Sequence, residues 1–175
     1  IHAHDLLCRY FGPVASVQAQ LGTLVNRIET EDCAAISMRF ENGALATSSV
    51  TLGAARDETR LRFVFRDLTA TSGAEPYAPA MGAWQFVARA SDAQPVVDNI
   101  ASAHGGAPLG FAGYLGAVAD HMEDKRSDAV TLADGRASIA LVTAIYHAAR
   151  TGRPVTLPLT DEHPLWHGWL PEGIA

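Results

Sequence analysis

The sequence predicts an α+β fold in which an open, mainly antiparallel mixed β-sheet carries helices packed on one face. Apolar and polar residues alternate with a period of two in several segments before residue 90. Asn42-Gly43 lies between two such segments and is typical of a tight hairpin, because both residues tolerate positive φ. After residue 110 the apolar period changes to about 3.6. Strands followed by helices favour α+β, and the lack of a GxGxxG motif and of βαβ alternation excludes a Rossmann domain.

The strand predictions depend mainly on alternation. Between residues 34 and 41, one face carries Ala34, Ile36, Met38 and Phe40, and the other carries Ala35, Ser37, Arg39 and Glu41. The return strand, residues 44–52, places Thr47, Ser49 and Thr51 on one face. Further strands are predicted at residues 14–25, 61–66, 68–72, 83–89 and 155–159.

Helices are predicted on both sides of these strands. Residues 2–11 form a short helix that Gly12-Pro13 ends, and residues 90–109 are expected to be a loop. Two longer helices follow. The first has the apolar stripe Phe111, Leu115, Val118, Ala119 and Met122; the second has Ile139, Val142, Ile145, Tyr146 and Ala149. Asp134 is a candidate cap for the second helix, which Gly152 and Pro154 end.

Composition excludes several classes of function. Hydrophobic residues make up 48% and charged residues 18% of the 175, and the 13 bases and 19 acids give a net charge of −6. Since no basic stripe is present, nucleic acid is not an expected partner. No apolar stretch approaches the ~20 residues of a membrane span, and the start lacks the organisation of a signal peptide. Cys8 and Cys33 have no metal-ligand spacing and are expected to be buried thiols in a reducing cytoplasm rather than a disulfide.

The first residues begin within a helical pattern. No initiator Met and no capping residue precede Ile1. We therefore expect residue 1 to be a cut or the first ordered residue of a longer chain. Residues 1–175 contain no internal repeat or low-complexity linker and are expected to form a single domain.

Four segments together resemble one known family. HAHDLLCRYFG at the start resembles an "HxxDLLxxxxG" helix, and EDCAAI followed by FENGA resembles an "EDtaai…feNGa" hairpin. DGR followed by AIYHAARTGR is similar to a "DGr…AiyeSartGr" helix, and VTLPL to a closing "V-x-LP" strand. These are patterns of the glucose–fructose oxidoreductase/inositol dehydrogenase family (Gfo/Idh/MocA), in order and with the family's spacing. His147 departs from the pattern, which has an acidic or amide residue there.

The resemblance implies that this chain is only the C-terminal substrate and oligomerisation domain of an NAD(P)-dependent oxidoreductase. The family's N-terminal Rossmann domain, which holds NAD or NADP, is absent from these 175 residues, as are the family's glycine-rich loop and EKP-type lysine. By the same resemblance, the substrate is a sugar, polyol or related hydroxyl or carbonyl compound. The expected assembly is a homodimer or homotetramer through the open sheet face, left uncovered by the helices.

His2 is the one candidate catalytic residue. The resemblance aligns it with the histidine of the family's D-x-x-x-H motif, whose Asp would lie one helical turn earlier. An imidazole suits proton transfer because its unperturbed pKa lies near neutrality. The alternative is that His2 only caps or packs the helix. Asp5 could bond to His2, but it is expected mainly to support the first helical turn, and His4 to face solvent or an interface.

Other candidate groups favour structural roles. His163 and His167 have the spacing of a metal pair, but Pro164 interrupts a helix there and no Glu accompanies them, so no metal is expected. Trp166 and Trp169 are expected to fix the C-terminal tail, and the charges between residues 120 and 126 to form a solvated helix end. The remaining aromatic candidates near loops are expected to pack in the core: Tyr77, Trp84 and Tyr114.

Two rival functions stay open at this point. The first is a non-catalytic binding or assembly module on the same scaffold, which an upstream sequence without the glycine-rich loop and lysine would favour. The second is a small metal hydrolase built on the terminal histidines, which elemental analysis would test. The sequence assigns no substrate-binding residue, and it does not distinguish NAD from NADP.

Overall fold

The structure is a computed structural model that describes residues 1–79, 82–103, 110–125 and 127–169. In chain order its elements are α1 (His2–Phe11), β1 (Val14–Gly22), β2 (Cys33–Phe40), β3 (Leu45–Thr51), β4 (Arg62–Val64), β5 (Leu68–Thr71), β6 (Gln85–Ala88), a 3₁₀ turn (Ser91–Ala93), α2 (Gln94–Ala103), α3 (Gly110–Met122), α4 (Leu132–Thr151) and β7 (Val155–Thr156). They form two compact units, one of Ile1–Ala55 with Thr131–Ala175 and one of Arg56–Val130. The α+β class is confirmed, and the single-domain assignment stays a prediction.

The first unit is built on a four-stranded sheet in the order β3-β2-β1-β7, and the pairs are antiparallel. The predicted hairpin joins β2 to β3. Gly43 has φ 87°, and Asn42 Oδ1 accepts a hydrogen bond of 2.9 Å from the amide of Ala44. The predicted faces are confirmed: Ile36, Met38 and Phe40 are buried, whereas Ser37 and Arg39 are exposed. Ser37 lies opposite Thr47 and Ala35 opposite Ser49, so the exposed face continues onto β3.

Helices α1 and α4 cover the buried face of this sheet. α1 has the predicted bounds and ends at Gly12, with φ 83°. α4 ends at Gly152, also in the left-handed region, as predicted. Two predictions about α4 were wrong. Thr131 is the N-cap and Asp134 is its partner three residues on, where its carboxylate accepts the Thr131 amide at 2.7 Å. The buried residues are Leu141, Thr143, Ala144, Ile145 and Ala148, so the predicted stripe is rotated from the buried face and shares only Ile145 with it.

The second unit contains a three-stranded antiparallel sheet in the order β4-β5-β6. Phe63 and Ala70 face each other across β4 and β5 and are buried. The expected loop at 90–109 is wrong over its first part, where α2 begins with Pro95 in its first turn, a position that tolerates the missing amide hydrogen. Residues 104–109 lie outside the described residues. The apolar stripe of α3 is largely exposed, with Phe111 at 85% and Met122 at 80%.

None of the helices in the described part of the chain has the length and apolar character to cross a membrane.

Candidate functional site

The first turn of α1 carries the predicted catalytic residue. His2 is the first residue of this helix and its side chain is exposed. Within the described residues no hydrogen bond or ion pair holds the imidazole. Asp5 does not bond to His2. Its Oδ1 instead accepts a hydrogen bond of 3.1 Å from the hydroxyl of Ser138 on α4. The catalytic assignment of His2 stays a prediction.

His4 differs from its prediction. It is only 8% exposed, and its Nε2 shares a hydrogen bond of 3.0 Å with Oγ of Ser48 on β3. Burial lowers the pKa of His4, because the charged imidazolium is poorly solvated beneath the helix. The expectation of a solvent or interface histidine was wrong. Two polar contacts therefore fix the first turn of α1, one to the sheet and one to α4.

His163, one of the two terminal histidines, lies against another histidine of the fold. The ring of His163 packs edge-on against His147 of α4, with centroids 4.6 Å apart. Its Nδ1 accepts a hydrogen bond of 3.2 Å from the amide of Leu165, and its Nε2 is buried without a partner. Burial, with the nearby His147, lowers the pKa of His163. Among the described residues, no cluster of three His, Cys, Asp or Glu side chains could hold a metal ion.

The C-terminal tail is fixed by a tryptophan, as predicted. The indole Nε1 of Trp169 donates to Oγ1 of Thr143 at 3.0 Å, and the ring packs on Tyr146 at 4.8 Å. The guanidinium of Arg136 lies 5.9 Å from the ring centre of Trp166, which is 42% exposed.

An open groove of about 860 Å³ lies beside this tail and is lined in part by Glu31, Tyr146, Arg150 and Trp169. The hydroxyl of Tyr146 donates to the carboxylate of Glu31. Burial and this bond raise the pKa of Tyr146 to about 12, so the phenol stays protonated at neutral pH. Arg150 lies over the Tyr146 ring and reaches the carbonyl of Trp169. These polar groups of the groove wall therefore contact one another.

Asp32 organises the loop between β1 and β2, and sequence reasoning missed this role. The carboxylate is 2% exposed and accepts the amides of Leu24, Val25 and Asn26 at 2.6–2.9 Å. These bonds hold the pKa of Asp32 well below its usual range. A short polar residue just before a strand was the available signal. The loop it fixes presents Leu24, which is 78% exposed.

The remaining candidates divide between correct and wrong predictions. Trp84 packs on the buried Phe63 ring at 5.5 Å, as predicted. Tyr77 and Tyr114 are 72% and 44% exposed, so the prediction of core packing was wrong for both.

The charged helix end is solvated as predicted, with Lys125 pairing with Glu123 at 2.6 Å. Arg126 lies outside the described residues. Both cysteines are free, and they are half-buried rather than buried.

The comparisons with known proteins agree with the resemblance found in the sequence. Residues 1–70 match the family model of the GFO/IDH/MocA C-terminal domain. The chain is similar to the WlbA dehydrogenase of Bordetella pertussis in complex with NADH and UDP-GlcNAcA, with 28% identity and TM-score 0.69 over 91% of this chain. It is also similar to the Chromobacterium violaceum WlbA dehydrogenase in complex with the same two molecules, with 29% identity and TM-score 0.68 over 91% of this chain.

A third likeness shows the fold alone. The aldose-aldose oxidoreductase of Caulobacter crescentus, complexed with glycerol, has 20% identity and TM-score 0.60, with 88% of this chain and 45% of that one covered. No curated protein matches the sequence. The chain spans 45% and 44% of the two WlbA structures. The predicted likeness to a Gfo/Idh/MocA C-terminal domain is confirmed.

Proposed function

We propose that this chain, a C-terminal domain of the Gfo/Idh/MocA type, is the substrate-binding and oligomerisation domain of an NAD(P)-dependent oxidoreductase. The observation that carries the proposal is the similarity, over 91% of the chain, to two dehydrogenases solved with NADH and a nucleotide sugar. The substrate class that follows is a sugar or a related hydroxyl or carbonyl compound, and UDP-GlcNAcA is the first candidate to assay.

The sequence indicates which part of the reaction belongs to this chain. These 175 residues contain no glycine-rich loop leading into a helix, the feature that cradles a pyrophosphate. NAD(P) would be held by a dinucleotide-binding domain preceding this chain, and the nicotinamide would exchange a hydride with the substrate carbon. The part left to this chain is to orient the substrate and to move the hydroxyl proton. The exposed imidazole of His2 is suited to that proton transfer, as a partner to the family's lysine.

The oligomerisation part of the proposal is supported by the exposed face of the first sheet. The exposed residues on this face are Ser37, Arg39, Thr47, Ser49 and Thr51, and none of the helices described in the first unit covers them. An open, flat sheet face of this kind is commonly closed by a twofold partner.

A single substitution tests the catalytic proposal in the full-length protein. We expect His2→Ala to reduce kcat roughly 10²-fold, the range for loss of an acid/base partner, while the Kd for the cofactor stays unchanged. His121→Ala, at an exposed position near the end of α3, is the matched control and should have the wild-type rate. Turnover is followed by nicotinamide absorbance with UDP-GlcNAcA and simple sugars. A His2→Ala protein with the wild-type rate across neutral pH would contradict the role of His2.

The alternative is a non-catalytic binding module on the same scaffold. It would be favoured if the full-length protein bound a sugar but produced no nicotinamide absorbance change with any substrate of the proposed class. For the chain alone, calorimetry should show no saturable binding of NAD or NADP tighter than about millimolar. Tighter binding would show that the cofactor site had been placed in the wrong part of the protein.

A further inference from the structure

The partly buried contact between His4 and Ser48 has no role in the proposed chemistry, yet His4 is only two residues from His2. His4 is 8% exposed and Ser48 is half-buried on β3. The 3.0 Å hydrogen bond between Nε2 and Oγ joins residues 44 positions apart. Leu7, one turn later on the same side of the helix, is also buried at 8%. These two side chains attach α1 to the sheet.

The geometry of the helix links this attachment to His2. Two residues correspond to about 200° of rotation about an α-helix, so side chains at positions 2 and 4 point to nearly opposite sides. When His4 points into the sheet, His2 must point away from it. The Asp5–Ser138 bond to α4 adds a second restraint, at 3.1 Å. The roll of α1 about its own axis therefore determines where the His2 imidazole lies.

A small roll would matter for chemistry. Side chains place functional groups roughly 5–6 Å from the helix axis, so a roll of about 10° moves an imidazole by about 1 Å. A misplacement of that size can cost on the order of 10²-fold in rate. Leu7 alone would hold the helix against the sheet, but an apolar contact is not directional and tolerates such a roll. A hydrogen bond depends on angle and distance, and it tolerates the roll much less.

We propose that His4 and Ser48 are positioning residues, whose hydrogen bond sets the roll of α1 and so directs the His2 imidazole toward the substrate. This inference rests on the proposed catalytic role of His2. Neutral His4 suits the task, because burial disfavours its charged form and a neutral ring bonds to a hydroxyl without needing a counter-ion. Ser48 lies near the middle of the edge strand β3, where it is the register partner of Ile36 on β2.

The test uses the full-length protein and compares kcat with KM. We expect Ser48→Ala to lower kcat about 10-fold, less than the loss for a full misplacement, with little change in KM or in the Kd of the cofactor. Ser48→Thr keeps the hydroxyl and should restore most of the rate. His4→Leu keeps an apolar anchor of similar size but cannot bond, and it should reproduce the Ser48→Ala defect. Ser91→Ala, at an exposed position on the 3₁₀ turn, is the control.

A second readout separates positioning from a loss of folding. In the NMR spectrum of the folded protein, the His2 ring signals should shift in Ser48→Ala and return in Ser48→Thr, while the melting temperature shows that each variant is folded. Wild-type kcat in both Ser48→Ala and His4→Leu, with His2→Ala inactive, would overturn the inference and leave the proposed function standing. If instead His2→Ala turns over normally, the proposed role of His2 fails, and an unshifted His2 signal then also removes the positioning role.

Discussion

The phase of α4 on the sheet can be tested by removing one apolar side chain from each side of the helix. Leu141 is 2% exposed and packs on the covered face of the first sheet, whereas Ile139 is 57% exposed. The two positions are separated by about 200° around the helix. Leu→Ala in a close-packed core costs about 2–5 kcal/mol, because the transfer free energy and a cavity term add. Ile139→Ala removes apolar surface that is already more than half in water, so it should cost less than about 1 kcal/mol.

The assay is urea unfolding of the two variants and the wild-type protein, with free energies from linear extrapolation. A third variant, Leu141→Met, nearly conserves volume and should cost less than about 1.5 kcal/mol. This variant separates a packing effect from any other consequence of changing the position. Equal losses for Leu141→Ala and Ile139→Ala would refute the observed phase, and a larger loss for Ile139→Ala would favour the stripe that the sequence suggested.

Three further predictions concern a loop, a pH dependence and an interface. Asp32→Asn replaces one acceptor oxygen with an amide NH₂ group that faces backbone N–H donors. The urea midpoint should therefore fall, and tryptic cleavage within residues 23–31 should accelerate. Unchanged cleavage would contradict the role of Asp32 in the loop. Burial lowers the pKa of His4 and His163. Below about pH 6.5 the unfolded chain therefore binds more protons than the folded chain, and the free energy of unfolding should decrease as the pH falls. The melting temperature should depend less on pH in the double variant His4→Gln/His163→Gln than in the wild-type protein. An identical slope of melting temperature against pH would contradict the role of the two histidines. In light scattering, Arg39→Glu with Ser49→Glu should convert the full-length oligomer to monomer; an oligomer that survives has another interface, and a monomeric wild type removes the claim.

The strands could be predicted more reliably than the helices because strand faces repeat every second residue. Ile36, Met38 and Phe40 are all large, so their alternation identifies the buried face without ambiguity. On α4 the buried face includes Ala144, Ala148 and Thr143, which carry little apolar weight in a sequence pattern. The larger Ile139 and Tyr146 therefore rotated the predicted stripe away from the buried face, with Ile145 common to both. α2 was missed because residues 90–109 are rich in Ala, Gly and Pro, although proline is also favoured in the first turn of a helix.

In the candidate site, too, some residues could be predicted from the sequence and others could not. His2 could be located from the local segment that resembles the family, since the pattern lies within a dozen residues. His4 bonds to Ser48, which is 44 positions away, and Tyr146 bonds to Glu31, which is 115 positions away. No local pattern contains either partner, because strand order and helix placement decide which distant residues meet. Only the folded arrangement shows that an apparently exposed histidine is an anchor.

The pairing of β1 with β7 has a consequence for the order in which the protein folds. Ser16 and Val17 find their partners in Thr156 and Val155, after the whole second unit has been passed in the chain. During synthesis, the residues of the second unit are therefore all available before the first sheet can acquire its fourth strand. Contacts this distant in sequence are slow to form. Until α4 and β7 emerge from the ribosome, the edge of β1 and the apolar face of the first sheet stay open, and exposed surface of this kind makes a chain prone to aggregate.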